Sequence, residues 1–307
     1  MTKAYMVPDN GEIHHYTDTN GLIGIIQGEK LWATNIQFLN DSLEYDFGLQ
    51  RATDTLGEAI KRLETDDSEE VRFTNELHES VQTTISILKG VGAEFKDEHF
   101  VCCFSAYCDD LGQWRGYAQE GYSITFDSEK LTNSISKSRP DERYVTHGNV
   151  TYGEFEWGQD DYADAVLSRM HEILHKSDMK PEDYGFSASE PGFGEFVRDN
   201  NRAALAAFAG VAAFQRSIPF LKETGFADEQ ERRICVSSPE EIKFRPSRIG
   251  PLPYTELAFD PESIKAITVG PGLNIELRQA TLEYLLRQKF GKDHKIEIKT
   301  TKLSFRG

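Results

Sequence analysis

Phe100-Val101-Cys102-Cys103-Phe104-Ser105 and Gly121-Tyr122-Ser123-Ile124-Thr125-Phe126-Asp127 are two short runs rich in aromatic and β-branched residues, and each predicts a strand. Trp114 and Tyr117 lie between them, three residues apart, and predict a short helix. Working toward the N-terminus, Ile13-His14-His15-Tyr16-Thr17 reads as an extended piece. Asp18 and Thr19 then cap a helix that carries Leu22, Ile23, Ile25 and Ile26 and stops at Gly28. Leu31-Trp32-Ala33-Thr34 predicts a strand, and helices are expected over Ser42 to Leu63 and Val71 to Leu88. Toward the C-terminus, Val150-Thr151-Tyr152 is another short strand, and 160–223 reads as mostly helical, with Ala203 to Phe214 as a buried helix. Strands follow at Arg232 to Val236, Ile242 to Phe244 and Ile264 to Val269, then a helix from Ile275 to Lys289 and a last strand from Ile296 to Ser304. Strands from both ends of the chain must share a sheet, with helices beside it. The expected class is α+β with mixed or antiparallel strands, as one domain over 1–307 holding a helical insertion around 155–223.

Thirty-four Lys and Arg against 51 Asp and Glu give 307 residues a formal net charge of −17. Such an excess repels polyphosphate at long range and argues against a tight sequence-reading nucleic-acid binder, while leaving room for a local nucleotide pocket. Cys102, Cys103, Cys108 and Cys235 form no repeated pair with zinc spacing and read as small buried hydrophobes of a reducing cytoplasm. No apolar run suits a leader peptide or a membrane span, so a soluble cytoplasmic protein without a membrane partner is expected.

Three stretches carry chemistry. His15-Tyr16-Thr17 ends a strand just before a capped helix. Phe38-Leu39-Asn40-Asp41-Ser42-Leu43-Glu44 is a polar turn leading into a helix, and Glu229-Gln230-Glu231-Arg232-Arg233-Ile234-Cys235-Val236 runs charges straight into a strand. Glu229, Glu231 and Arg233 have spacing two and share a strand face, where two carboxylates and a guanidinium suit hydroxyl recognition and a cation-like transition state. The bland alternatives are a structural His-Tyr pair, a plain helix-start turn at Asn40-Asp41, and an exposed strand face with a salt bridge.

Together these stretches resemble a bacterial family of domains of unknown function, number 2971. Its signs are His15 to Thr17, Phe38 to Glu44 with one extra residue, Trp114 to Ala118, Gly121 to Asp127, and Glu229 to Arg233, with Arg245 and Pro253-Tyr254 also fitting. That family in turn resembles the ADP-ribosyltransferase fold, and the opening HYTDTNGLIGIIQGEKLWATN is similar to toxin-type transferases that modify nucleic acids. The resemblance implies NAD as substrate and a macromolecular acceptor, nucleic acid or protein. It also implies a toxin or phage-defence role, with an antitoxin or operon partner. It gives His15 the adenosine ribose, Tyr16 or Tyr117 the nicotinamide, Glu231 the nicotinamide ribose and Glu229 the acceptor. His15, Tyr16, Thr17, Asn40, Asp41, Tyr117 and Arg233 are then the expected NAD contacts, with His15, Tyr16, Asn40 and Glu231 lining one cleft.

A rival lies in His171-Glu172-Ile173-Leu174-His175, which has the spacing of a zinc-peptidase helix. Arg169 before it and Lys176-Ser177-Asp178 after it make a surface helix the better expectation, with no bound metal; Glu190 or Glu195 would have to supply the third ligand. A further alternative is a non-catalytic interaction protein that keeps a degenerate nucleotide pocket.

Overall fold

The computed structural model describes residues 11–39, 43–65, 75–138, 145–153, 162–175 and 202–303. In chain order the elements are β1 (Glu12–Thr17), α1 (Thr19–Gly28), β2 (Lys30–Asn35), α2 (Glu44–Thr65), α3 (Asn75–Val91), β3 (His99–Ser105), β4 (Tyr122–Asp127), α4 (Ser128–Ser138), β5 (Val145–Asn149) and β6 (Thr151–Tyr152). They continue with α5 (Tyr162–His175), α6 (Arg202–Ser217), β7 (Leu221–Lys222), β8 (Glu231–Ser237), β9 (Lys243–Ser247), β10 (Gly250–Ala258), β11 (Ile264–Val269), α7 (Ile275–Phe290) and β12 (Glu297–Thr300). The class is α+β: helices flank a mixed, mostly antiparallel sheet.

The chain divides into two compact units, one of 1–39, 98–151 and 225–307 and one of 40–97 and 152–224. The first holds the large sheet, in the order β12-β11-β4-β1-β3-β2-β10-β9, with β8 paired to β3 and β5 to β8. Its strands are antiparallel except for the parallel β11–β12 pair. β3 is the branch point. One edge pairs with β8 over its whole length, while the other is shared between β2, at Phe100 and Val101, and β1, at Ser105. One face of the sheet is apolar. Ile13, Phe100, Phe104, Ile124, Phe126, Ile234 and Ile267 meet Leu22, Ile25 and Ile26 of α1, Leu131 and Ile135 of α4, and Leu282 and Leu286 of α7. Each such side chain contributes roughly 1.5–3 kcal/mol by leaving water, which makes this layer the main source of the unit's stability.

The first helix begins as its sequence requires, with the Asp18 carboxylate accepting from the Gly21 N–H at 2.7 Å. It ends at Gly28, as the sequence suggests, and Glu29 caps it in the left-handed region. β10 is among the strands not expected from the sequence, and it carries Pro251 and Pro253, residues that ordinarily interrupt a ladder. Both fall where β10 pairs only with β9; pairing to β2 begins at Tyr254, so neither ring removes a bond from that ladder.

The second unit is helical and draws on two segments, so 40–97 joins the region expected at 155–223. Leu77, Val81, Thr84 and Leu88 of α3 are buried, as are Leu205, Ala207, Gly210, Val211 and Phe214 of α6. The Thr84 hydroxyl donates to the Ala207 carbonyl at 3.1 Å. A Cβ on Gly210 would lie 2.8 Å from Thr84 Oγ1, which explains a glycine inside this helix. Among the described residues, Arg202–Phe220 is one helix long and apolar enough by composition to cross a membrane. Its apolar side is the one buried in this bundle.

Candidate functional site

Strand register decides which of the expected residues can meet. β8 places Glu231 opposite Ser105 and Arg233 opposite Cys103, and β1 places His14 opposite Ser105. Because side chains alternate, Glu231, Arg233, Ser105, Cys103, His14 and Tyr16 lie on one face. His15, Thr17, Phe104 and Arg232 lie on the other. The expected cleft joining His15 to Glu231 is therefore corrected: the two residues stand on opposite faces of the sheet, and His14 is the histidine on the Glu231 side.

His15 faces the apolar layer. Its Nδ1 carries the proton and donates to the Cys103 carbonyl at 3.0 Å, and its ring lies 5.6 Å from Phe104. Burial lowers its pKa, with the bond to Cys103 opposing. Thr17 lies on the same side beneath α1, where a Cβ on Gly21 would come within 1.9 Å of its hydroxyl. A concavity lined in part by Phe104, Thr132, His147, Asn149 and Arg232 opens on this face, not on the face of Glu231. Asn40 and Asp41 lie outside the described residues.

On the polar face, Arg233 forks onto Glu231. Nε donates to Oε1 at 2.9 Å and Nη2 to Oε2 at 2.7 Å, and the two residues are 1% and 7% exposed. This is a buried two-point ion pair and not an exposed strand-face salt bridge. The neighbouring Cys103 thiol is raised well above its ordinary range by burial and by the Glu231 carboxylate, so it stays protonated and is no nucleophile. His14 Nδ1 is 3.0 Å from the Thr125 hydroxyl. Burial lowers its pKa to about 4, Glu12 opposing and Arg232 and Lys299 adding, so the ring is neutral at physiological pH.

Tyr16 is a clamp. Its hydroxyl donates to the Tyr107 carbonyl at 2.8 Å and accepts from the Asp110 N–H at 2.9 Å, while its ring meets Trp114 edge-on at 4.7 Å. Burial raises its pKa. Fully used in this way, it has no free face for stacking, and of the two aromatic candidates Tyr117 is the accessible one at 43% exposure.

Tyr117 comes from Trp114–Ala118, a single π-helical turn, a form that recurs at functional sites. Trp114 anchors the turn through its indole N–H, which donates to Asp109 at 2.8 Å. Gly121 closes it, since a Cβ there would lie 2.1 Å from the Thr17 carbonyl oxygen and 2.7 Å from that of Ala118. The Tyr117 hydroxyl donates to the Glu229 carboxylate at 3.1 Å. The Glu229 backbone carbonyl accepts from the Ser105 hydroxyl at 3.3 Å and from the Gln113 amide at 3.4 Å. Gln230, at φ 43°, then turns the chain into β8. The arrangement is a half-exposed carboxylate with a phenol at the rim and a buried carboxylate–guanidinium pair behind it. It offers two carboxylates of different accessibility, hydroxyl donors and a neutral imidazole. Ser105, Gln113 and Cys103 were not expected here; their only signal was their place on strand or helix positions beside the motifs.

The two histidines of the His171 motif lie against each other on one helix. Their imidazole rings stack at 4.1 Å between centroids, His175 Nδ1 lies 2.8 Å from the His171 carbonyl, and Arg169 pairs with Glu172 at 2.5 Å. No group of three ligating side chains occurs among the described residues. Glu190 and Glu195 lie outside them. Ile173 and Leu174 are fully buried, more so than a surface helix implies.

The fold and site define an α+β protein whose polar sheet face carries Glu231 and Arg233 on β8; Glu229, expected on the same strand face, instead ends the short 3-10 segment Thr224–Glu229 before the turn at Gln230. Residues 113–234 match the model of a protein family of unknown function, DUF2971. The matched segment contains the Trp114 turn, β4, Glu229 and the start of β8 at Glu231 to Arg233, whereas His14 to Thr17 precede it. No curated protein and no solved structure matches the chain.

Proposed function

We propose that the chain is an ADP-ribosyltransferase-like enzyme that cleaves NAD at the polar face of β1, β3 and β8 and passes ADP-ribose to a macromolecular acceptor, nucleic acid or protein. The observation that carries the proposal is the row His14–Ser105–Glu231, which joins the first strand to a late strand across β3. The reading takes His14, not His15, as the ribose ligand, because His14 shares the face of Glu231. Glu231 opposes the oxocarbenium-like centre that forms as nicotinamide leaves, and Arg233 fixes its orientation in advance. Tyr117 offers an accessible ring for the nicotinamide, and Glu229 positions the acceptor nucleophile. A toxin or phage-defence effector with an operon partner is the biological setting this chemistry suits.

The test is incubation of labelled NAD with lysate, RNA, DNA and protein. Glu231→Gln keeps the shape but removes the charge and leaves Arg233 unpaired, so with folding verified first it is expected to lower nicotinamide release by about 10²–10³. Glu229→Gln is expected to impair transfer more than hydrolysis. His14→Ala is expected to weaken NAD binding, and His15→Ala to leave it unchanged once folding is verified. Both Glu231 oxygens are held by Arg233, which favours a second, non-catalytic reading. Absence of release, transfer and calorimetric NAD binding in the wild type leaves only that one.

A further inference from the structure

β2, β10 and β9 form one wing of the sheet, with Trp32 opposite Glu256, Thr34 opposite Tyr254, Tyr254 opposite Lys243 and Leu252 opposite Arg245. Alternation puts Trp32, Tyr254, Arg245, Lys30 and Lys243 on a single face. Through Thr34 opposite Val101 and Val101 opposite Cys235, it is the face that also carries Glu231 and Arg233. Trp32 remains 45% exposed although it is the largest side chain on β2. Its ring lies 4.7 Å from that of Tyr254, tilted by 41°, and the Arg245 guanidinium stands 5.6 Å from its centroid. Arg245 is itself fixed, Nη2 donating to the Thr34 hydroxyl at 3.2 Å, while its buried Nε has no partner among the described residues.

The surrounding charge is locally inverted. Lys30 and Lys243 both bind Glu256, at 2.6 and 2.9 Å, and Lys243 also reaches Glu241 at 3.5 Å. With Arg245, three cations face two carboxylates in a chain whose net charge is −17.

We propose that Trp32, Tyr254 and Arg245 are a stacking platform for a nucleobase, carried by a free nucleotide or by single-stranded nucleic acid. An indole braced by a tyrosine and a guanidinium offers its remaining π surface in a fixed orientation, and every base has a flat face to lay on it. A neutral sugar would stack as well but has no use for the cations, whereas a base arrives with phosphate. The acidic remainder of the chain repels polyanions at long range, so the affinity is moderate. The proposal goes beyond NAD cleavage and does not rest on it.

Calorimetric titration of the full chain with AMP, with a thymidine oligonucleotide of about ten residues and with inorganic phosphate tests it. Base-bearing ligands are expected to bind and phosphate alone not to. Trp32→Ala is expected to raise Kd by about fivefold to a hundredfold, the range that loss of one base–aromatic stack produces. Trp32→Phe should recover part of the affinity, and Arg245→Gln should weaken it. Comparable binding of AMP and oligonucleotide assigns a free nucleotide, and much tighter oligonucleotide binding assigns the nucleic acid. The proposal is overturned if neither base-bearing ligand binds at millimolar concentration. It is also overturned if Trp32→Ala, shown folded by circular dichroism, binds as the wild type does, or if phosphate binds equally well. None of these readouts involves nicotinamide release, so they stand or fall separately from the transferase reading.

Discussion

Arg233 covers both oxygens of Glu231 in a place that water barely reaches, so the energetics of the pair are dominated by what happens when one partner is lost. Desolvating two charges nearly cancels their attraction, whereas a lone buried carboxylate keeps the whole penalty. Arg233→Met should therefore destabilise the protein by about 3–5 kcal/mol, while Glu231→Met combined with Arg233→Met should recover much of that loss. Urea denaturation of the single and double variants measures the difference. A double variant no more stable than Arg233→Met alone would mean that the fork, and not the isolated charge, holds this region together. Tyr16 and Tyr117 differ in kind: one has spent its hydroxyl on Tyr107 and Asp110, while the other keeps an accessible ring and a bond to Glu229.

At the scale of elements, glycines divide into those that are needed and those that are not. A Cβ at Gly121 meets two carbonyl oxygens that belong to backbone and cannot swing away, so Gly121→Ala should cost about 1–3 kcal/mol and loosen the Trp114 turn. Gly24, inside α1, has nothing within 4 Å of the added atom, and Gly24→Ala should stabilise by about 0.5–1 kcal/mol. Thermal unfolding compares the two, and similar effects from both would refute the steric account of the turn. Elements of this kind were legible in the sequence: β3, β4 and β11 follow from their aromatic and β-branched runs, and α1 from its cap and spacing. Strand phase was not. His14 and His15 are adjacent, and only pairing with Ser105 and Thr125 tells which one joins Glu231. Nor could Tyr16 be read as a clamp, because both of its partners are backbone groups of a loop more than ninety residues away. β10 was not expected either, and it carries prolines whose harmlessness depends on where a neighbouring strand begins. The helical unit was half seen, since its two segments are joined by packing and not by sequence.

For the molecule as a whole, two imidazoles tie the stability of the sheet to pH. His14 on β1 and His99 on β3 are 5% and 2% exposed, and burial lowers each to a pKa of about 4. In the unfolded chain both return to about 6.5. The unfolded state then binds more protons below neutrality, so stability rises with pH across this range. The contribution is fully present above the unfolded value and is lost as pH falls from about 6.5 toward 4. Between pH 7.5 and pH 5 each histidine should cost about 2 kcal/mol. Glu12 beside His14 works against the depression, and Arg232 and Lys299 reinforce it. The acidic surface acts in the other direction, because protonating carboxylates in a chain of net charge −17 relieves self-repulsion. Urea unfolding at pH 7.5 and pH 5 separates the two effects when wild type is compared with His14→Asn and His99→Asn. Each substitution should lower stability at pH 7.5 by removing a hydrogen bond, to Thr125 or to Ser237, yet flatten the fall toward pH 5. If both variants lose as much stability as the wild type over that interval, the buried imidazoles do not carry the pH dependence and the carboxylates do.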